Sequence, residues 1–376
     1  MTNICRDRLP AARRWLSRRM PLALVSRRLV TALLVLTPLA AQQATTYPAD
    51  LQRARAIWFQ NASNNVASEV GVSFAARPFD DATRRSFENA TAGTRWPLAE
   101  RFWPEFACFT EVEFGSVRVP ADSYAMLLVK TDDGFGLGLL DGDKARATLS
   151  PPGTAPSLPL LATIPLQAGP GNGSPLQLAF VADGDAGRFA LVLQFGPNRW
   201  SATGRAKGTP KTPPIVMADA RASWRLDGPA ADSQTPFAVL DHGLPRWTKE
   251  LHETWHGLRA GTTWRLGKDW ATTLDTNRTL LLGGKELEPG LWHLSLAKTP
   301  DGWNLNATSA VADYRAKIDP NSGRGASVLS VPMHSASVKP ACEELRVQCN
   351  ADGAGFDLAI QFGLEELTVP FAFGKQ

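Results

Sequence analysis

The stretch with the clearest chemical content is His252-Glu253-Thr254-Trp255-His256, an H-E-x-x-H pattern. On a helix, positions i and i+4 share a face. His252 and His256 could then present two imidazoles to one zinc, with Glu253 as general base toward a metal-bound water. This is a metal-dependent hydrolase reading, with Glu253 as candidate catalytic residue and zinc as cofactor. Against it, Gly257 ends the helix at once, and the longer His-x-x-Gly-x-x-His extension is absent. No Glu-rich second helix follows to supply a third ligand. Two solvated histidines on a helix surface account for the same five residues.

Twelve tryptophans raise a second possibility, a carbohydrate site built on aromatic platforms. Core packing explains most of them, because Trp buries a large area in a small β-domain. Trp247 and Trp255 are the expected exposed pair, since they fall in a stretch that has no clear counterpart elsewhere in the chain. Pro78 to Glu88 spans 10 positions and Pro229 to His256 spans 27, which suggests an insertion of 17 residues carrying both. A phosphate-cradling glycine loop, a dinucleotide fingerprint and a serine-hydrolase elbow are all missing.

The elements that would position these residues repeat. Ala92-Gly93-Thr94 and Trp96 recur as Ala260-Gly261-Thr262 and Trp264, and Lys130-Thr131 with Asp133-Gly134 recurs as Lys298-Thr299 with Asp301-Gly302, both at an offset of 168. Gln194-Phe195-Gly196 recurs as Gln361-Phe362-Gly363 at an offset of 167. Alternating apolar residues over 273–282, 292–297, 345–349 and 356–362 predict strands. Gly283-Gly284 and Asp301-Gly302 predict tight hairpin turns. The expected fold is all-β, with two tandem antiparallel β-sandwich or jelly-roll-like domains. Helix signals are few, and 49–60 and 246–256 are the best candidates. The predicted layout is a signal peptide at 1–41, a first, degenerate copy at 42–205, a linker at 206–214 and a second copy at 215–376.

The second copy resembles the bacterial domain of unknown function numbered 2911, a family of mostly exported proteins. That family carries a Gly-Leu, a polar turn and Trp-Arg-Thr-Gly-Ala-Asn-Glu-Ala-Thr. Here the matching run is Gly257-Leu258, then Trp264-Arg265-Leu266-Gly267-Lys268-Asp269-Trp270-Ala271-Thr272. Gly284-Lys285-Glu286-Leu287-Glu288-Pro289-Gly290-Leu291-Trp292 fits the family's next turn and strand. Two hallmark positions differ, Asp269 and Trp270 standing for the family's Asn and Glu. In the first copy Pro97 and Ala99 replace the Arg and Gly, and a proline offers none of an arginine's planar donors. The resemblance therefore places any ligand site in the second copy, with Arg265, Lys268 and Asp269 as ligand candidates beside Trp247 and Trp255. Arg265 and Asp269 could instead simply pair with each other.

The N-terminus reads as an export leader. Residues 1–41 hold eight arginines and one acid, a net +7 within a formal charge of +4, so the remainder carries −3. A basic, nucleic-acid-binding body is not supported. Arg27-Arg28, the apolar run 29–41 and a small-residue end follow the order of a secretory signal, with Met20 as an alternative start and a resemblance to twin-arginine signals. An uncleaved leader would be a membrane anchor. The expected location is periplasmic or extracellular, and the expected partner is a small molecule, a glycan or an envelope protein. Export permits disulfides. Cys342 and Cys349, seven residues apart, would stand roughly 23 Å apart at about 3.3 Å per residue in one strand, so they can pair only if the strand starts after a bend near Glu343, and three buried thiols, with Cys108, are expected. The leading functional reading is a non-catalytic binding or scaffold protein.

Overall fold

The computed structural model describes residues 45–48, 51–59, 66–98, 103–147, 157–208, 212–219, 221–227, 236–319, 322, 325–352 and 355–374. The leader lies outside them, as do residues 209–211 of the proposed linker, whose first residue, Ala206, ends a strand. Residues 41–376 form one unit.

The first half contributes, in chain order, β1 (Thr45–Pro48), β2 (Leu51–Phe59), β3 (Val66–Ala75), α1 (Asp81–Glu88), β4 (Arg95–Pro97), β5 (Glu105–Cys108), β6 (Val112–Phe114), β7 (Val117–Val119), β8 (Asp122–Thr131), β9 (Gly134–Asp141), α2 (Gly142–Ala147), β10 (Ala162–Ala182) and β11 (Arg188–Ala206). The second half follows with β12 (Ile215–Asp219), β13 (Arg221–Asp227), β14 (Phe237–Gly243), α3 (Lys249–His256), β15 (Thr263–Arg265), β16 (Thr272–Thr276), β17 (Leu280–Leu282), β18 (Lys285–Leu287), β19 (Gly290–Thr299), β20 (Gly302–Ser309), α4 (Ala310–Arg315), β21 (Ser327–Asp352) and β22 (Gly355–Phe373). The all-β expectation holds.

These strands make two antiparallel sheets of eleven strands each. The first runs β12-β2-β3-β5-β8-β9-β10-β11-β6-β7, with β4 on β8, and the second runs β1-β13-β14-β16-β19-β20-β21-β22-β17-β18, with β15 on β19. The two orders correspond strand for strand. The long strands carry each sheet from one layer to the other. The start of β10 pairs with β9 and the remainder with β11, with register shifts between Pro170 and Gln177. Bulges of this kind bend a strand so that it can turn a corner of a sandwich. Each half closes on its own apolar core, around Trp58, Phe106, Phe114 and Phe189 in the first and Leu305, Val347, Ile360 and Val369 in the second.

The outermost strands are exchanged. β1 pairs with β13 in the second sheet, and β12 pairs with β2 in the first. Neither 42–205 nor 215–376 therefore contains all the strands of one sheet.

Residues 51–59 are a strand, not the expected helix. They are buried on both faces: Ala54, Ala56 and Trp58 enter the first core, while Arg53 and Arg55 point the other way and are also buried. Arginines on a strand of alternating character looked like the polar face of a helix. Their true environment is a seam between the halves. There Arg53 lies 3.9 Å from the ring centroid of Trp270 and 3.5 Å from Glu105, and Arg55 lies 3.3 Å from Glu69. Arg146 of α2 crosses the seam to Asp275 of β16 at 2.9 Å, with both side chains buried. Burial pushes the Asp275 carboxyl upward, opposed by the Arg146 guanidinium.

Of the two expected turns, Gly283-Gly284 has both residues at positive φ (55° and 78°), as a type I′ turn requires. The other turn differs. Thr299 pairs with Gly302, so Pro300-Asp301 forms the loop and only Gly302 has positive φ. All three cysteines among the described residues are free thiols. Cys108 and Cys349 are buried, and burial raises both to about 12, which keeps them protonated. Among the described residues no helix is long and apolar enough to cross a membrane.

Candidate functional site

Helix α3 builds one wall of the site. Thr248 caps it, accepting from the Leu251 backbone N–H at 3.2 Å, and Gly257 closes its C-terminus. Helical spacing turns Leu251 and Trp255 toward the core and leaves Glu253 outside. The helix does not sit in an insertion. α1 and α3 start at Asp81 and Lys249, an offset of 168, so Trp247 answers to Phe79 and Trp255 to Phe87. Pro229, which suggested the insertion, lies outside the described residues and is not the counterpart of Pro78.

Trp255 is not an exposed platform. It is 4% exposed, its ring stacked on Trp303 at 4.5 Å and met edge-on by Trp264 at 4.9 Å. Its Nε1 donates to Glu365 Oε2 at 2.7 Å. Trp247 is half-buried and packs edge-to-face on Phe362 at 4.6 Å. It lies on Gly363, whose φ is +61° and whose missing Cβ leaves the space that the indole fills. Of the expected exposed pair, Trp255 is therefore buried and Trp247 is half-buried at the edge of a cleft.

Between α3 and the β21–β22 ribbon lies a cleft of about 370 Å³, lined by Trp247, Trp255, His256, Lys298, Trp303, Ser335, Ala336, Ser337, Phe362, Leu364 and Glu365. This is the lower end of the size range of small-molecule sites, about 300–1,000 Å³. The lining mixes aromatic edges with a few polar groups. Lys298 Nζ stands 4.5 Å from the Trp303 ring centroid. Glu365 accepts from Trp255 with one oxygen and from Ser335 Oγ with the other, at 2.6 Å. Leu364 is 47% exposed at the rim.

The corresponding place in the first half is packed. Leu367 lies opposite Ser335 on β21–β22, and at the same register Trp200 lies opposite Ala168 on β10–β11. Trp200 is buried and packs on Phe135 at 5.1 Å and Phe87 at 6.1 Å, the counterparts of Trp303 and Trp255. Glu365, opposite Ser337, is matched by Asn198 opposite Pro170. The first half thus has a larger aromatic in place of Leu367 and lacks both the carboxylate and the serine.

The histidine pair is partly joined to this cleft. The His252 and His256 rings are 4.3 Å apart, and His256 lines the cleft while His252 meets Trp247 edge-on at 5.5 Å. Glu253 is exposed, 3.9 Å from Lys249. Among the described residues no group of three or more His, Cys, Asp or Glu is placed to hold a metal ion.

The hallmark residues lie elsewhere. Arg265, half-buried on β15, is paired in register with Ser295. Asp269 has φ of 66° and forms a surface pair with Lys268 at 3.8 Å, not with Arg265. None of the three lines the cleft. Trp270, standing where the family has Glu, is buried in the seam beneath Arg53. Lys298, Ser335 and Glu365 were missed. The signal available for Glu365 was the break in alternation after Gly363, where three consecutive residues, Leu364-Glu365-Glu366, interrupt an apolar strand.

Residues 251–372, the C-terminal part of the chain, match the family model described as "Protein of unknown function (DUF2911)". That span includes most of α3 and every residue lining the cleft except Trp247. No curated protein and no solved structure matches the chain.

Proposed function

We propose that this is an exported, non-catalytic binding protein, built from two copies of one β-domain, with its ligand in the cleft between α3 and β21–β22 of the second copy. The observation that carries the reading is the contrast between the halves. At equivalent positions the second half has an open cleft with a carboxylate, a lysine and a serine at its wall, and the first half has Trp200 packed on Phe87 and Phe135. A sandwich core needs no such opening for its own stability. Closely packed interiors are the rule, and an unfilled place forfeits contacts. The matching strand orders and the 168-residue sequence offset support the duplication. The arginine-rich, then apolar, order of the leader supports export. Reaction chemistry has less support. Glu365 is held by two donors, and Glu253 faces solvent away from the cleft lining.

The test is a screen of the full chain against small aromatic acids, monosaccharides and divalent metals, with any hit mapped by hydrogen exchange. Protection confined to 249–256, 298–303 and 335–365 agrees with the proposal. Protection confined to the first half contradicts it. The proximity of His252 and His256 keeps a second reading in the same experiment, a metal-dependent hydrolase using Glu253. About one zinc per purified chain, lost in His252→Ala together with a hydrolytic activity, would favour that reading.

A further inference from the structure

Resting on the reading of this cleft as a ligand site, we infer that its ligand is a small carboxylate on a flat apolar body, with the carboxylate taken by Lys298. The cleft holds two groups of opposite charge, and they are not equivalent. Glu365 is committed to the wall, where its two oxygens receive Trp255 Nε1 at 2.7 Å and Ser335 Oγ at 2.6 Å. These bonds fix the orientation of the Trp255 indole and with it the floor of the cleft. Lys298 has no such commitment. It is half-buried, and among the described residues it makes no ion pair. Its charge is held against the Trp303 face, 4.5 Å from the ring centroid. A cation–π contact stabilises an ammonium without consuming its three N–H donors, which remain directed at whatever enters. A partly desolvated lysine beside an apolar wall is a favourable seat for an anion, because screening by water is reduced there.

The remaining lining sets the ligand's body. Trp255 and Trp303 stack on each other, Lys298 stands over the Trp303 ring, and Phe362 is met by Trp247 and Trp264, so the faces of these rings are partly engaged within the wall. The edge of an aromatic ring carries partial positive charge and prefers the face of another π-system. Leu364 adds an exposed apolar rim. An aromatic or other planar body fits these edges better than a polyol, which would need a free ring face and several hydrogen-bond partners. The first half serves as an internal control. Lys130 occupies the position of Lys298, 5.0 Å from the Phe135 ring, but there Trp200, at the register of the buried Leu367, packs on Phe135 and Phe87, the counterparts of Trp303 and Trp255.

The experiment is calorimetric titration of the full chain with phenylacetate and with phenylacetamide, its neutral isostere, repeated on Lys298→Met and Lys298→Arg. The expected result is that phenylacetate binds wild type at least about tenfold more tightly than the amide. In Lys298→Met that preference should vanish with amide affinity unchanged, and Lys298→Arg should retain it. The unchanged amide affinity separates loss of charge from collapse of the cleft. Equal affinity for the two ligands, or a preference that survives Lys298→Met, overturns the assignment of a carboxylate to Lys298. In that case the cleft itself stands if Leu367→Trp abolishes binding of both ligands. No phenylacetate binding to wild type also overturns the assignment.

Discussion

At the residue scale the decisive difference between the halves is Trp200 against Leu367. Trp200 is enclosed by Phe87 and Phe135. Trp200→Leu should therefore leave a cavity in the first half and lower stability by about 2–4 kcal/mol, read as a shift in the urea midpoint at constant slope. A cost below about 1 kcal/mol would mean that the first half relaxes to close the space. A second residue-scale expectation concerns His242. It is buried between two backbone groups, with Nδ1 at 3.0 Å from Gly243 O and Nε2 at 3.3 Å from Val347 N. Nδ1 donates to the carbonyl and Nε2 accepts from the N–H, which requires the neutral ring. Burial, aided by the nearby Arg221 charge, lowers its pKa to about 4. The unfolded chain takes up this proton near pH 6.5 and the folded chain only near 4. The stabilisation is thus complete above about pH 6.5 and is lost as pH falls toward 4, by up to about 3 kcal/mol. Stability measured by urea unfolding from pH 7.5 to 4 should show this slope. A flat profile between pH 6.5 and 5 would contradict the neutral-ring assignment.

At the element scale α3 places the wall of the cleft, and much of it was legible. The helix and its stop at Gly257 follow from the sequence, whereas the Thr248 cap and the burial of Trp255, against the expectation of exposure, are findings of the structure. Thr248→Ala should cost about 1 kcal/mol, from loss of the bond to the Leu251 N–H, and should loosen the position of Trp255. Near-UV circular dichroism of the Trp255–Trp303 pair would report that loosening. An unaltered near-UV spectrum at unaltered stability would mean that the core holds the helix without its cap. Strand periodicity also read correctly over β19 and β22, where apolar and polar residues alternate in sequence, although β19 is buried on both faces from 290 to 296. It failed for β2, where Arg53 and Arg55 alternate with Ala54 and Ala56 but are themselves buried, so that pattern alone assigns them to a solvated face. Arg53 and Arg55 are inside because Trp270, Glu69 and Glu105 meet them, and those partners are 14 to 217 residues away in sequence. The cleft was hidden for a similar reason. Its lining comes from α3, β19, β20, β21 and β22, and no short motif contains it.

At the scale of the whole molecule the two halves are interlocked. Each lends its outermost strand to the other's sheet, and buried charges cross the seam. Expression of 42–205 or 215–376 alone should therefore give chains with an unpaired sheet edge and buried charges exposed, prone to aggregate. Mixing the two should recover soluble complex. A monomeric, cooperatively folded 215–376 would contradict the interlocked description. Within the full chain, Arg146→Met should destabilise by about 3–5 kcal/mol because it leaves Asp275 buried and unpaired, while Arg146→Met with Asp275→Leu should regain most of that loss. Equal losses in the single and double variants would show that the pair is not coupled.

The central claim is that the open cleft of the second half, and not the hallmark turn at Arg265 or the first half, receives the ligand. Leu367→Trp tests it most directly, because it places in the second half the residue that stands at the same register in the first. Affinity for any small molecule found by screening should be measured on wild type, Leu367→Trp and Arg265→Ala, with thermal unfolding recorded for each. The account predicts at least a tenfold loss in Leu367→Trp with its cooperative unfolding preserved, and affinity within about twofold of wild type in Arg265→Ala. Undiminished binding by a folded Leu367→Trp variant, or loss confined to Arg265→Ala, would contradict it.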